Sequence, residues 1–477
     1  MVIVRASLIA ACMALGLAAG GADAQVGLPG RLPALPGGVL PGAGAPAGGI
    51  GLPGGLATDV GRGASGLGDA ADARRLTNLR RQRITALIRR YPRLIERDPR
   101  GEAIVRGEVV AVAPSDAALD RARAAGFSIA RDRAPGALGV RVVVLRAPDG
   151  VSTQRALEEL RALDPAGTYD FNHLYSESGA QGYAGAADGR AGAGGGRGSA
   201  GDGHAGEFDG HAATAPSAAQ PSDAQHRVGL IDSGVDARHP VFNDVPVHLH
   251  GCGGAAVPAE HGTEVASLLV GRADRFHGAA AGATLFAADV YCGAPTGGAV
   301  DAIVDAFDWL ASERVPVINV SLVGPPNALL AAAVRSVIAR GHLVVAAVGN
   351  DGPAAPPLYP AAYPGVIGVT GVDARRRVLV EAERGAQVRL AAPGADMSAA
   401  LPPRAYAIVR GTSFAAPIVA GLLARSLGAP DPAAAARVLE DLERQAVDLG
   451  APGVDPVYGY GLVGAALAPE PALARAR

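Results

Sequence analysis

Lysine is absent from this 477-residue sequence, so all 43 of its basic residues are arginine. These are balanced by 45 acidic residues, and the formal net charge at pH 7 is only −2. A chain so close to neutrality lacks the overall field that attracts nucleic acids or anionic membranes. The composition therefore predicts no nucleic-acid partner.

Long apolar runs are absent after the first residues, and a membrane helix needs about 20 of them. Near the start, Arg5 precedes the short apolar stretch from Ala6 to Ala19, and Ala22-Asp23-Ala24 has the small-x-small pattern of a cleavage site. We interpret residues 1–24 as a signal peptide and expect a secreted protein, periplasmic or extracellular, that is not transmembrane. A lipoprotein site before Cys12 is the less favoured alternative.

Cysteine is scarce, with three in the chain. Cys12 would leave with the signal peptide. In an oxidising compartment a remaining pair more often forms a disulfide than a metal or redox site. The sequence therefore predicts a Cys252–Cys292 disulfide.

Two segments lack any hydrophobic period. Residues 25–73 are rich in Gly and Pro, and residues 176–225 are rich in Gly, Ala and Ser. Such compositions predict a disordered segment and an exposed linker that proteases cut easily. The second segment separates residues 74–175 from a C-terminal domain at 226–468. A tail at 469–477 follows that domain.

Residues 74–107 begin with a basic segment that carries ten arginines between positions 74 and 100. Leu76, Leu79, Ile84 and Leu87 recur at helical spacing until Pro92 interrupts the pattern. A basic helix of this kind can bind membranes or nucleic acid. A solvated helix that packs one apolar stripe is more usual, and we favour it.

Residues 108–175 alternate between strand and helix patterns in the order β-α-β-β-α-β, which is that of a small ferredoxin-like α+β domain. Many unrelated domains share this order. The predicted strands are Glu108–Ala113, Phe127–Arg133, Val140–Arg146 and Thr168–Tyr175, and the predicted helices are Ser115–Ala125 and Ser152–Leu163.

Residues 226–468 alternate short, continuously apolar strands with helices. Such strands suit a mostly parallel sheet that is buried on both faces, in a three-layer α/β domain. Ligands of such domains bind at the carboxyl ends of the strands. The predicted strands are Val228–Ile231, Thr284–Val290, Val317–Val320, Leu343–Val348 and Val366–Val372.

Three segments of this domain place a reactive residue at the edge of an element. Asp232 directly follows a predicted strand, His261 opens a helix in His-Gly-Thr, and Ser413 opens another in Gly-Thr-Ser-Phe-Ala-Ala-Pro. Taken singly, they would be a turn residue, a structural histidine and a helix N-cap.

Taken together, in the order Asp, His, Ser, these segments resemble the subtilases, the subtilisin-like serine peptidases. The resemblance extends from residue 227 to 465 and includes Asn350 in Val-Gly-Asn-Asp-Gly. It implies a serine endopeptidase without a cofactor that acts on polypeptide substrates. Asp232 would orient His261, the base for Ser413, and Asn350 and the Ser413 backbone N–H would stabilise the oxyanion.

Two positions depart from the family pattern. Glu264 stands where most members have a second histidine, outside the triad. Val323 stands where glycine is usual, in the segment Ser321, Leu322, Val323 and Gly324 that lines the primary specificity pocket in the family. A branched side chain there predicts a narrowed pocket.

The resemblance also gives residues 108–175 a role, because subtilases carry a ferredoxin-like propeptide that assists folding and inhibits the enzyme in cis. The tail Phe171–Tyr175 would then occupy the cleft by strand addition. We expect Tyr175 or Leu174 in the primary pocket and cleavage near residues 174–176. An independent binding domain is the alternative.

Three other functions are less well supported. A catalytically silent binding module would have lost a triad residue, and none is lost. An esterase or lipase would favour the elbow G-x-S-x-G, which Ser413 lacks. A zinc site at His248, His250 and Cys252 is conceivable on one strand face, but no H-E-x-x-H motif accompanies it.

Overall fold

The computed structural model describes residues 68–178, 226–273 and 276–468. The predicted signal peptide, the lipoprotein alternative at Cys12, most of the Gly/Pro-rich segment, most of the linker and the C-terminal tail lie outside the described residues. Among the described helices, none combines the length and apolar character that a membrane crossing requires.

The basic segment is helical over its first part only. Helix α1 (Gly68–Arg90) is followed by strand β1 (Ile95–Arg97), so the helix predicted within 74–107 ends before Pro92, which cannot donate a backbone hydrogen bond. Ile84 of α1 is buried in a cluster with Ile95 and Leu174. The apolar stripe therefore packs inside the protein, as the favoured interpretation had it.

The small domain is an antiparallel sheet with two helices on one face. Its sheet order, β5-β2-β4-β3, is that of a ferredoxin-like fold, and β1 adds an edge strand. The first strand begins five residues earlier than position 108. The elements are β2 (Ala103–Val112), α2 (Asp116–Ala124), β3 (Ser128–Arg133), β4 (Val142–Arg146), α3 (Thr153–Leu163) and β5 (Thr168–His173).

Alternate residues of β2 pack into two different hydrophobic cores. Val109 and Ala111 pack with α2 and α3 in the core of the small domain. Val110 points the other way and joins a core with Phe307 and Leu310 of the C-terminal domain. Because successive side chains of a strand face opposite sides of a sheet, one strand holds the two domains together.

The C-terminal domain has the predicted three-layer α/β architecture. Its central sheet has seven parallel strands in the order β16-β15-β14-β12-β7-β11-β8. The strands are β7 (Arg227–Asp232), β8 (Val247–Gly251), β11 (Thr284–Asp289), β12 (Val317–Val320), β14 (Leu343–Ala347), β15 (Ile367–Val372) and β16 (Val388–Pro393).

Helices cover both faces of this sheet. Helices α4 (Glu260–Val270) and α7 (Thr412–Ala424) share one apolar core with it. Helices α5 (Val300–Ser312) and α6 (Ala328–Ala339) share the other, and α8 (Pro432–Gln445) packs beside α7. The strands are apolar on both faces because both faces are buried.

Six short strands complete the described elements. They form three two-stranded antiparallel pairs outside the central sheet. These strands are β6 (Ser176–Glu177) with β13 (Leu322–Val323), β9 (Arg272–Ala273) with β10 (Phe276–His277), and β17 (Met397–Leu401) with β18 (Ala405–Val409).

Candidate active site

The fold brings Asp232 and His261 into direct contact. Asp232 ends strand β7 of the central sheet, and His261 is the second residue of α4. The imidazole Nδ1 lies 2.7 Å from Asp232 Oδ1, and the carboxylate is fully buried. This geometry suits Nδ1–H donating to the carboxylate, which leaves Nε2 facing away from Asp232.

Charges around His261 favour its protonated form. Burial lowers the pKa of His261, but the carboxylates of Asp232, Glu177 and Glu264 outweigh burial and raise it to about 9. Burial in turn raises the pKa of Glu264 to about 7. Glu264 lies one turn along α4 from His261. In its ionised form it stabilises the protonated imidazole, although it lies outside the predicted triad.

Ser413 is the second residue of α7 and is fully buried. Gly411, just before the helix, has a φ of +146°, which favours glycine. A Cβ at Gly411 would lie 3.3 Å from Asn350 Nδ2. Glycine thus lets the start of α7 approach Asn350 closely.

Asn350 lies three residues after β14, at the carboxyl edge of the sheet. Its Oδ1 accepts a hydrogen bond of 3.1 Å from the backbone N–H of Thr412. Among the described residues, no acceptor bonds its buried Nδ2. That N–H group is held beside Ser413 by the other half of the same amide, and it is free to donate to a negatively charged oxygen.

The end of the small domain lies in the cleft as an added strand. In antiparallel register, Glu177 of β6 faces Leu322 and Ser176 faces Val323. The backbone N–H of Ser178 donates to the Ser321 carbonyl at 3.1 Å. The segment predicted to bind substrate is thus paired with an extended stretch of the protein's own chain.

Ser178, and not Leu174 or Tyr175, is the residue at Ser413, since its Oγ is hydrogen-bonded to Ser413 Oγ. The residue at Ser413 therefore lies a few positions beyond the expected cleavage region of residues 174–176, and the cleavage position stays a prediction. Tyr175 is fully buried in a separate pocket. Ser176, Glu177 and Ser178 were assigned to the linker because their small or polar side chains carry no strand pattern; backbone pairing with β13 holds them.

Cys252 and Cys292 form a disulfide, as predicted. With Cys252 so engaged, the alternative zinc site is wrong. His248 stacks on Phe286, and His250 pairs with Asp305 at 3.0 Å. The H-x-H-x-C run is thus a structural element of the β8 edge.

Helix α1 reaches the rim of the cleft. Arg80 makes ion pairs with Glu102 of the small domain at 2.8 Å and with Asp351 at 3.5 Å. Asp351 follows Asn350 directly. Burial raises the pKa of Asp351, and Arg80 partly offsets this. The basic helix therefore contacts the loop that carries the candidate oxyanion donor.

Comparisons with known proteins identify the family of the C-terminal domain. Residues 223–461 match the model of the Subtilase family of peptidases. Subtilisin E of Bacillus subtilis (strain 168) is 32% identical over 252 residues, which cover 50% of this chain and 64% of that protein. The subtilisin of Bacillus pumilus is also 32% identical over 252 residues, covering 50% of this chain and 88% of that protein.

A solved structure is similar over a longer stretch. Fervidolysin from Fervidobacterium pennivorans, a keratinolytic enzyme related to subtilisin, superposes with a TM-score of 0.60 at 20% identity. The match covers 79% of this chain and 63% of fervidolysin, so the chain spans less than two thirds of that protein. At this identity the likeness concerns the fold.

Proposed function

Because the chain belongs to the subtilase family of serine peptidases, we propose that it is an endopeptidase that uses Asp232, His261 and Ser413. The observation that carries this proposal is the arrangement at the cleft. Asp232 and His261 are hydrogen-bonded at 2.7 Å, and Ser413 meets an extended peptide strand beside them.

In the proposed mechanism, Ser413 Oγ attacks the carbonyl carbon of the bound peptide. His261 Nε2 accepts the hydroxyl proton and then gives it to the leaving amine, which leaves an acyl-enzyme. Water repeats the sequence and releases the acid. Asp232 holds the imidazole with Nδ1–H toward itself and stabilises the imidazolium.

The tetrahedral intermediate needs fixed donors for its oxyanion. We assign Asn350 Nδ2 and the backbone N–H of Ser413 to this role. The unpaired state of Nδ2 supports the assignment, because a buried amide N–H without an acceptor is costly unless an acceptor arrives during the reaction.

We further propose that the N-terminal part, up to Ser178, is a propeptide that inhibits the enzyme in cis. The chain's own triad would cut the Ser178–Gly179 bond, and the linker to about residue 225 would be trimmed. Strand pairing of β6 with β13 and the Ser178–Ser321 hydrogen bond support this position. The proposed propeptide thus ends three residues beyond Tyr175.

Secretion is part of the same proposal. Residues 1–24 have the pattern of a signal peptide. The Cys252–Cys292 disulfide suits an oxidising compartment, in which such bonds persist.

The test compares wild type with Ser413→Ala. Wild type should hydrolyse casein, react with a serine-directed fluorophosphonate and show a new N-terminus after Ser178 or within the linker. Ser413→Ala should remain full length, unlabelled and inactive. Full activity of Ser413→Ala would refute the assignment. Cleavage of a p-nitrophenyl ester without any cleavage of casein would favour an esterase instead.

A further inference from the structure

We propose that Glu383 is a positioning residue for the reaction. It lies between β15 and β16 and holds the oxyanion loop, by which we mean Gly349 and Asn350, in the place that catalysis requires. This inference rests on the proposed peptidase function and adds to it a buried carboxyl group that the proposed mechanism does not use.

The carboxyl group of Glu383 is enclosed in the protein. The residue is 0% exposed, and its Oε2 accepts a hydrogen bond of 3.3 Å from the backbone N–H of Leu358. Within the ranges that the structure describes, Oε1 has no hydrogen-bond partner. Burying a polar oxygen without a partner costs free energy, so a glutamate at this position indicates a role other than stability.

The unpaired oxygen packs against Gly349. A Cβ at Gly349 would lie 2.6 Å from Glu383 Oε1 and 3.0 Å from Leu358 Cδ1, and the φ of +118° also favours glycine. The backbone N–H of Glu383 donates to the Gly349 carbonyl at 3.1 Å. Gly349 is therefore fixed between Glu383 and Leu358, which restricts movement of the neighbouring Asn350.

Helix α7 holds the same loop from its own side. The Gly349 N–H donates to Thr412 Oγ1 at 3.3 Å, and the Thr412 N–H donates to Asn350 Oδ1 at 3.1 Å. Thr412 directly precedes Ser413. The peptide unit that carries the proposed oxyanion donor is thus held between Thr412 and Glu383.

Glu383 also reaches the segment that pairs with the bound tail. Leu358, whose N–H it binds, is followed by Tyr359, and Tyr359 and Gly324 exchange two backbone hydrogen bonds of 3.0 Å. Gly324 directly follows Val323 of β13. One carboxyl group therefore connects the oxyanion loop with the strand along which the peptide lies.

The protonation state of Glu383 sets its effect on the loop. Burial, and after it the charge of Asp351, raises the pKa of Glu383 to about 9, so the group is neutral at pH 7. Arg80 of α1 lowers this pKa, but α1 would leave with the proposed propeptide. Ionisation would place charge on an oxygen without a partner, and the loop would have to open to hydrate it.

The experiment measures kcat and KM of the processed enzyme on a fluorogenic peptide built on Tyr-Ser-Glu-Ser-Gly, the sequence of residues 175–179. Active sites are titrated with a fluorophosphonate. Glu383→Ala should lower kcat roughly 10- to 100-fold, because a small misplacement of a catalytic group is costly. The loss should fall on kcat more than on KM, since the oxyanion develops only in the transition state.

The neutral variant Glu383→Gln separates shape from charge. Its amide keeps the volume of the side chain and an acceptor for the Leu358 N–H, so it should restore most of the wild-type kcat at pH 7. The kcat of the wild type should fall as the pH rises above about 9, whereas that of Glu383→Gln should not. The rise of kcat at lower pH belongs to the general base and should be the same in both.

Two further variants distinguish positioning from a general loss of stability. Adding Glu383→Ala to Asn350→Ala should reduce kcat by less than about 3-fold, because Glu383 acts through Asn350 and effects of coupled residues do not add. Glu443→Ala is the matched control. It removes another buried glutamate, which pairs with Arg389 on the far side of α8, and should lower the melting temperature while kcat stays at the wild-type value.

Three results would overturn the inference. They are a wild-type kcat in Glu383→Ala, an alkaline fall of kcat in Glu383→Gln equal to that of the wild type, and an undiminished effect of Glu383→Ala in the Asn350→Ala background. If Glu383→Ala does not fold, the pH profile of Glu383→Gln decides by itself. A wild-type enzyme that cuts no peptide and takes no fluorophosphonate label would instead refute the peptidase function on which the inference rests.

Discussion

The hydroxyl groups of Ser178 and Ser413 are hydrogen-bonded to each other in the cleft. The proposed nucleophile is thereby engaged by the tail, while His261 Nε2, the atom proposed to take its proton, has no hydrogen-bond partner in the part of the chain that the structure describes. Within the proposed triad, the Asp232–His261 hydrogen bond is formed, whereas His261 Nε2 is not hydrogen-bonded to Ser413. The backbone of the bound tail pairs with β13 as a substrate strand would. The side chain of Ser178, in contrast, engages Ser413 as an inhibitor would.

Ser178→Ala should accelerate self-cleavage of the precursor. The change removes the hydroxyl that engages Ser413 Oγ, so that Ser413 can turn toward His261. We expect an increase of roughly 5-fold, since a net hydrogen bond is worth about 1 kcal/mol. The measurement is a time course of precursor loss after refolding. Ser176→Ala, in the same strand, is the control and should process at the wild-type rate; slower processing of Ser178→Ala would contradict the model of an engaged nucleophile.

Glu177→Gln should shift the pH dependence of self-cleavage to lower pH. A general base works in its neutral form, and the carboxylates of Asp232, Glu177 and Glu264 help to raise the pKa of His261 to about 9. Removing the Glu177 charge lowers that pKa, so more His261 is neutral at pH 7. The rate of precursor processing, measured between pH 5 and 10, checks this.

Two comparisons make this test specific. The mature Glu177→Gln enzyme should have the wild-type pH profile, because Glu177 leaves with the tail. Glu158→Gln changes an exposed carboxylate on α3 and should leave precursor processing as in wild type. An unshifted processing profile in Glu177→Gln would remove Glu177 from the control of His261.

Asn350→Ala should lower kcat on the order of 10²–10³-fold while KM changes little, which is the typical cost of one oxyanion donor. The lost group is Nδ2, which has no acceptor in the described structure. Steady-state kinetics on a fluorogenic peptide give the value, and the melting temperature shows whether the fold is intact. A kcat near that of wild type would assign the donor to another group.

Val323→Gly should widen the pocket at the cut bond. Val323 is 3% exposed and lies beside the bound tail in β13. Replacing it with glycine removes a branched side chain, so peptides with Phe in place of the last Ser should gain roughly 10-fold in kcat/KM relative to Ser. Leu322→Val, which keeps a branched residue in the same strand, should not produce this gain. An unchanged ratio in Val323→Gly would mean that other residues limit the pocket.

The sequence predicted the three-layer domain and the positions of Asp232, His261 and Ser413 because these signals are local. Strands buried on both faces are continuously apolar, and each reactive residue sits in a short motif at the end of an element. The disulfide was predictable because two cysteines remained after the predicted signal peptide.

Other features depend on contacts between distant segments. Ser176–Ser178 are held in an extended conformation by backbone hydrogen bonds to Ser321 and β13. Because this pairing does not depend on the side chains, the sequence pattern did not predict it. The influence of Glu264 on His261 is a charge effect between two side chains that the fold of α4 places close together in a buried site. The contact of Arg80 with Asp351 likewise joins residues that are far apart in the chain.

The interface between the small domain and α5 has a consequence for the time after cleavage. Asp301 of α5 accepts hydrogen bonds from Arg131 at 2.7 Å and from Asn172 at 3.0 Å, and Val110 packs against Phe307. None of these contacts involves the bond after Ser178, so the proposed cleavage there would leave the small domain bound. The proposed propeptide would then be present at one copy per enzyme, and its release would follow mass action. The active fraction of a freshly processed sample should rise on dilution and on digestion of the freed fragment. Activity would therefore increase once the protein is diluted away from the site where it is made.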